Sequence, residues 1–382
     1  MKQTRFIFMF WALTLMISSC SSSTSENGGE EPNGNGSGHA SGDISLSLST
    51  NAIKADGKDK CDFIVKIGNE LVTKDVEIYA VDNTSTPLGS LSFTTTKTGE
   101  YKFFASYKDK VSSQITLKAL SQIPDLPADA QPQNTSFVRR VMALQFTGTG
   151  CPNCPYMIAA IHETLKSDAA DKVIFTGIHA YNSDDIMYTS VMGAMGSTYG
   201  NGYYPGIGLD LRKEVLNAVN DVNTTTSRLK SMISKEHEGD AKTGISLAVL
   251  KNGNELVIKA AVKAAETGTY KIGAWVLEDG IYAIQSNNTN IKGYDFNTHN
   301  NVVREVSGQN DYDFSGDNLG QIAKGETKNH VLSMKINPEW NLQNCKIVCF
   351  VSTPDTGGST KKFYINNAMI CNIDGAKLFE YK

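Results

Sequence analysis

The chain has 382 residues, with 36 Lys and Arg against 40 Asp and Glu, and 40% of it is apolar. The net charge of −4 argues against nucleic acid as a partner and against a polybasic membrane surface. The length allows two or three domains at roughly 100–200 residues each, and 33 Gly with abundant Thr, Asn and Ser point to β-rich domains with many turns.

Lys2 and Arg5 open the chain, Phe6–Ile17 is apolar apart from Thr14, and Ile17-Ser18-Ser19-Cys20 closes the segment. A basic start, an apolar stretch and small residues before a cut form a secretory signal too short to span a bilayer. The cysteine directly after the small residues resembles a bacterial lipobox, which implies cleavage after residue 19 and lipidation of Cys20. Residues 20–43 are largely Ser, Gly, Asn and Glu, too poor in apolar groups to offset chain entropy, and read as a flexible tether. The expected partner is therefore a membrane, reached through an N-terminal lipid anchor. Outside the cytoplasm disulfides are permitted, so the six other cysteines, Cys61, Cys151, Cys154, Cys345, Cys349 and Cys371, become candidates for pairing.

Residues 44–119 read as one small all-β domain. Ile44, Leu46 and Leu48 alternate with Ser, and Cys61, Phe63, Val65 and Ile67 share a face. Ile53-Lys-Ala-Asp-Gly57 and Gly99-Glu-Tyr-Lys-Phe103 resemble bacterial immunoglobulin-like repeats, which implies a β-sandwich spacer. Residues 120–136 hold Pro124, Pro127 and Pro132 and read as a semi-rigid linker.

From 137 to 239 the periodicity changes. Val138–Phe146 is strand-like, Met157, Ile158, Ile161 and Leu165 fall at helical spacing, and Lys172–Tyr181 is a second strand. Asp184 or Asp185 is placed to cap a helix through Met195, Tyr204–Asp210 is a short strand, and Leu211–Glu238 is largely helical. The alternation predicts an α/β domain. From 240 to 382 strands alternate around Asn252-Gly253, a strong hairpin signal, and recur to Phe363–Asn372, predicting an antiparallel β-sandwich. The expected fold class is multidomain α+β.

Phe146-Thr-Gly-Thr-Gly-Cys151-Pro-Asn-Cys154-Pro155 carries the chemistry. Two cysteines two residues apart, after an apolar strand and opening a helix, form a thioredoxin-like arrangement. The open N–H groups of the helix start favour a thiolate at Cys151, and Cys154 is near enough to resolve a mixed disulfide. Tyr204-Pro205 begins the strand where such domains place a cis-proline, so Pro205 is expected to shape the groove beside the pair. Gly150 stands where an aromatic residue commonly precedes the first cysteine, and the strand carries no acid, which counts against a fast general reductase. His179, at a strand end, is a candidate to tune the thiolate, against the plainer reading of a solvent-facing histidine. His162 falls about 16 Å along the helix, too far to help.

No cofactor and no metal is expected. Cys345 and Cys349 are four residues apart on one strand, about 13 Å, and cannot converge on zinc with the CxxC pair. Cys371 is placed to meet Cys345 in a disulfide, with three buried reduced thiols as the equal alternative. Asp311, Asp313, Ser315 and Asp317 imitate the start of a calcium loop, but position twelve is Ile322 rather than Glu.

The CxxC segment, the lipoprotein start, Trp275-Val-Leu-Glu-Asp-Gly280 and His299-Asn-Asn-Val-Val-Arg304 together resemble the twenty-eight-kilodalton outer-membrane-protein family of Gram-negative lipoproteins. The resemblance covers about residues 137–382. It implies an outer-membrane lipoprotein with a thioredoxin-like domain, and no substrate. Two functions stand: a binding or structural surface protein whose Cys151–Cys154 pair stabilises the scaffold, and a thiol–disulfide oxidoreductase or redox partner in which Cys151 attacks and Cys154 resolves on a protein partner.

Overall fold

Ile44–Leu48 pairs antiparallel with Cys61–Ile67, Leu46 opposite Val65, so the Ile/Leu–Ser alternation puts its apolar face inward. A second sheet, built from Ala52–Lys54, Val76–Ala80, Gly99–Tyr107 and Ile115–Leu120, closes over it. Ile53, Phe63, Val65, Ile78, Phe103 and Leu117 are buried together, and the Phe63 and Phe103 rings meet edge to face at 4.9 Å. Cys61 lies in this core as a free thiol. The computed structural model describes residues 43–307, 314–355 and 362–382; the signal segment, Cys20 and the tether up to residue 42, with Asp311 and Asp313, lie outside the described residues.

The chain then runs through β1 (Val141–Thr147), α1 (Cys154–Leu165), β2 (Val173–His179), α2 (Ser190–Tyr199), β3 (Gly206–Leu209), β4 (Val215–Asn217) and α3 (Val222–His237). β1 and β2 are parallel from Val141↔Val173 to Thr147↔His179, and β3 is antiparallel to β1 with Gly206 opposite Phe146. Both faces of β1 are apolar because both are covered. Val141 and Ala143 pack with Met157 and Ile161 of α1 and Leu229 and Ile233 of α3, while Met142, Leu144 and Phe146 pack with Met192 and Met195 of α2.

Local expectations shift in two places. α2 starts at Ser190 because Thr189 caps it, accepting from Met192 N at 3.2 Å, and Asp185 is occupied elsewhere. The segment read as largely helical from Leu211 gives β4 first, and α3 begins only where Asp221 accepts from Thr224 N at 2.7 Å.

The remaining strands longer than two residues are β5 (Thr243–Asn252), β6 (Glu255–Ala264), β7 (Gly268–Glu278), β8 (Val302–Val306), β9 (Asp317–Ile322), β10 (Thr327–Lys335), β11 (Cys345–Pro354) and β12 (Phe363–Asn372). β5 and β6 form the hairpin at Asn252-Gly253, where Gly253 takes φ +61°.

The expected fold class is corrected here. There is no discrete central thioredoxin-like α/β domain. The strands of the α/β stretch belong to one nine-stranded sheet in the order β4-β3-β1-β2-β8-β7-β11-β12, with β9 also on β7. The described residues hold 24 strands against three α-helices, a β-rich fold of several sheets. The join is β2 to β8, parallel, with Gly177 opposite Val302. The burial of β2 on every residue gives the physical reason, since such a strand needs partners on both edges. β7 then serves two cores by alternation: Ile272, Ala274 and Val276 face β5, β6 and β10, while Trp275 and Leu277 face the side that α2 covers.

The Pro-rich stretch 120–136 is docked against the sheets. Lys263, 1% exposed, gives its ammonium to Asp129 at 2.8 Å, to the Gln131 carbonyl at 2.9 Å and to the Tyr381 hydroxyl at 2.9 Å. Asn51 of the N-terminal sandwich bonds both backbone groups of Val331, donating to its carbonyl at 2.7 Å and accepting from its N–H at 3.0 Å.

Candidate functional site

β1 ends at Thr147, and Gly148-Thr-Gly-Cys151 turns out of the sheet towards α1. Cys151 and Cys154 are joined by a disulfide, with Cα atoms 5.4 Å apart. The turn is closed by Cys151 N to Gly148 O at 3.1 Å and Cys154 N to Cys151 O at 3.2 Å. α1 starts at Cys154, with Asn153 as its cap residue, so Pro155 rather than Pro152 occupies the first turn. A proline is tolerated there because the first N–H groups have no partner inside the helix.

Both glycines of the turn allow close approach. A Cβ on Gly148 would stand 2.6 Å from the Tyr181 Cβ, and one on Gly150 would stand 3.1 Å from the Asn182 side chain. The loop after β2 therefore lies directly on the cysteine turn. Asp185 fastens it. Its Oδ2 accepts from Thr149 N at 2.7 Å and meets His179 Nδ1 at 2.7 Å, and its Oδ1 accepts from Met187 N at 2.9 Å. Burial alone would raise this carboxyl, but the His179 hydrogen bond and charge, with the Met187 and Thr149 amides, outweigh it and hold the group at about 2.

His179 is thus a buried, carboxylate-bound residue rather than a solvent-facing one, 2% exposed, and its ring meets that of His299 at 5.1 Å. The pKa of His299 is lowered by burial and then by His179. Together with Thr147 and α1 the two histidines line a pocket of about 140 Å³. The Tyr204–Pro205 bond is cis; since Gly206 opposes Phe146, Pro205 sits level with Thr147, at the sheet end the cysteine turn leaves from.

The chain covers this end with a segment that sequence reasoning missed. Ile281–Tyr282 pairs with Thr298–His299, and the chain then crosses the cysteine turn. The Gln285 amide nitrogen donates towards the carbonyls of Gly148 (3.1 Å), Thr149 (3.2 Å), Cys151 (2.9 Å) and Ser286 (3.1 Å). Ser286 N donates to Thr149 O at 2.7 Å and Asn288 N to Pro152 O at 3.0 Å. Cys151 is 1% exposed and Cys154 fully buried, so both residues of the pair are closed to solvent. No local motif marks Gln285; Asp185 stood out only as a helix-cap candidate.

Of the two alternatives open for the C-terminal cysteines, the structure holds the three buried thiols rather than a Cys345–Cys371 disulfide. Cys345 and Cys371 are free, buried thiols, as is Cys349. The register sets Cys371 opposite Ile347 and Cys349 opposite Met369, so no two of them face each other across the ladder. Burial pushes the thiols of Cys345 and Cys349 up to about 12 and raises that of Cys371, which disfavours the thiolate at all three. Among the described residues no group of three or more His, Cys, Asp or Glu is arranged to hold a metal ion.

Fold and site together define a β-rich protein with a sealed disulfide at one end of a mixed sheet. The model of a family described as outer membrane protein Omp28 matches residues 210–361, a stretch that begins after the two cysteines. That match supports an outer-membrane location. Among solved structures, HBP35 of Porphyromonas gingivalis is similar in fold, with a TM-score of 0.51 and 19% identity over 64% of this chain and 78% of that one. A protein from Agrobacterium tumefaciens aligns at a TM-score of 0.39 and 15% identity, over 60% of this chain and 92% of its own. No curated protein sequence matches the chain.

Proposed function

We propose that this chain is a lipid-anchored protein of the outer-membrane surface that acts by binding, with Cys151–Cys154 as a structural staple of the binding scaffold. The observation that carries this reading is the near-complete burial of both cysteines under residues 285–288. A thiolate attacks a disulfide along the sulfur–sulfur axis and needs one sulfur open to approach. The signal segment that ends just before Cys20 supports the anchor, and the match over residues 210–361 supports the membrane. The test is insulin reduction by dithiothreitol with the full mature chain present. No acceleration is expected, and catalytic turnover at substoichiometric protein would overturn the reading.

The start of α1 at Cys154, which sets the pair beside open backbone N–H groups, favours the second reading, a thiol–disulfide redox partner. On that reading Cys151 is the attacking sulfur, and the same insulin experiment returns turnover.

A further inference from the structure

From Asp279 to Thr298 only one side chain is buried, and it is polar: Gln285, 5% exposed. Its apolar neighbours point the other way, Tyr282 being 69% and Ile284 77% exposed. The segment over the disulfide therefore turns its one fully buried side chain, a polar amide, inward, while Tyr282 and Ile284 face out and Ile281 and Ala283 are half-buried. Hydrogen bonds from Gln285, Ser286 and Asn288 hold it on the cysteine turn. Those contacts are also imperfect. One NH₂ group with two hydrogens is shared among four carbonyls, and the Gln285 Oε1 is buried without a hydrogen-bond partner.

We propose that residues 282–288 form a latch, bolted by Gln285, whose local opening sets the rate at which the Cys151–Cys154 disulfide is reached by thiols. Regions with few buried apolar contacts open at free energies well below that of global unfolding. The base of the latch stays in place, because Ala283 N bonds Asn297 O at 2.9 Å and Gln285 N bonds Asn297 Oδ1 at 3.0 Å, while the far side turns through Gly293 at φ +88° with open space around it. The latch goes beyond the binding reading and operates whether the disulfide staples the scaffold or exchanges.

With dithiothreitol as the probe, a reductant thiolate bonds to Cys151 Sγ and the Cys151–Cys154 bond breaks, its electron pair leaving on Cys154. The second reductant thiolate then closes the reductant's own disulfide and frees Cys151. The protein gains two electrons, and two protons as the thiols reprotonate.

The experiment is the rate of this reduction in the full mature chain, read by alkylation and mass. Gln285→Ala should raise the rate about tenfold or more, since the bolt's hydrogen bonds are lost from the closed state alone. Gln285→Glu, which sets carboxylate oxygen against the same carbonyls, should raise it further. Folded variants that are reduced within about twofold of the native rate overturn the latch. If neither variant folds, hydrogen exchange in the native chain decides: the Ser286 and Asn288 amides should exchange much faster than those of β1. Protection of those amides equal to β1 would mean that the segment opens only with the whole fold, and would also overturn it. Insulin turnover reports on the binding reading independently of either result.

Discussion

The Gln285 amide nitrogen lies 2.9 Å from the carbonyl oxygen of Cys151. Residues 134 apart in the chain are thereby tied so that one side chain from the connection between Tyr282 and Thr298 closes the turn that bears the disulfide. The tie exists because β2 and β8 are neighbours in one sheet, which brings the segment before β8 over the end of β1 and β2. The continuous sheet that replaces a discrete α/β domain is thus also what covers the cysteines.

Loss of the staple should weaken the fold without dismantling it. The disulfide closes a very short loop, for which chain entropy gives about 2 kcal/mol. Cys151→Ser with Cys154→Ser should lower unfolding free energy by roughly that amount in a denaturant titration. An unchanged midpoint and slope would show that the covering segment alone holds the turn.

The anchor is tested by Cys20→Ala. The variant should appear as soluble or uncleaved product, while the native chain fractionates with membranes. Unchanged fractionation would remove the lipid from the account.

Docking of the N-terminal sandwich depends on Asn51, which satisfies both backbone groups of Val331. Around it Ala52, Leu120, Ile123, Val257 and Val331 form a small buried cluster. Asn51→Ala strips one donor and one acceptor from a half-buried edge, at a cost of about 1–3 kcal/mol. Limited proteolysis should then cut faster within residues 121–136 while the sheets stay intact. Cleavage at the native rate would show that the cluster is sufficient by itself.

Much of the strand pattern is legible in the sequence, because period-2 alternation and an Asn-Gly turn are local signals: β5, β6 and β12 lie where the alternation puts them. The cysteine pair is legible for the same reason. What escapes is pairing across distance. Val173–His179 reads equally well as the strand of a small α/β domain and as the middle of a large sheet, and only the contact Gly177↔Val302 decides. Asp185 reads from the sequence only as a helix cap, and its bonds to His179 and Thr149 N follow from the fold. Gln285 sits in a polar stretch with no motif, and its role arises from the fold alone. The diagonal placement of Cys345, Cys349 and Cys371 likewise follows from a ladder register that sequence spacing does not specify.

The buried Arg139 network should be the most sensitive structural point outside the cysteine turn. Arg139, 5% exposed, bonds Asp210 Oδ2 at 3.2 Å and the Asn366 carbonyl at 3.0 Å, and also reaches the Glu236 carbonyl. It thereby joins the start of β1, the end of β3, α3 and β12. Arg139→Met keeps the apolar stem but strands a fully buried Asp210 and two carbonyls. Breaking a buried pair from one side costs roughly 3–5 kcal/mol. Burial pushes the Asp210 carboxyl up to about 8 against the pull of Arg139, so Arg139→Met leaves it harder still to ionise. Arg139→Met with Asp210→Asn should recover part of the loss by placing a neutral amide there. Equal losses in the single and double variants would mean that the carbonyl bonds, not the ion pair, carry the effect.

The pH dependence of stability should carry the signature of Asp185. Its folded pKa of about 2 lies below the ordinary carboxyl value of 3.8, so the unfolded chain binds the proton more readily. The group therefore contributes stability that is fully present above pH ~4 and is lost as pH falls towards ~2. The difference corresponds to about 2 kcal/mol at neutral pH, an order-of-magnitude figure for a carboxylate that is 4% exposed. Asp185→Asn should be less stable than the native chain at pH 7, and the gap should narrow as the pH approaches 2. The same variant weakens the acceptor for Thr149 N, so it should loosen the cysteine turn and speed reduction of the disulfide. A gap that stays constant from pH 7 to pH 2 would show that the carboxylate is not ionised against His179 and that shape alone sets the loop.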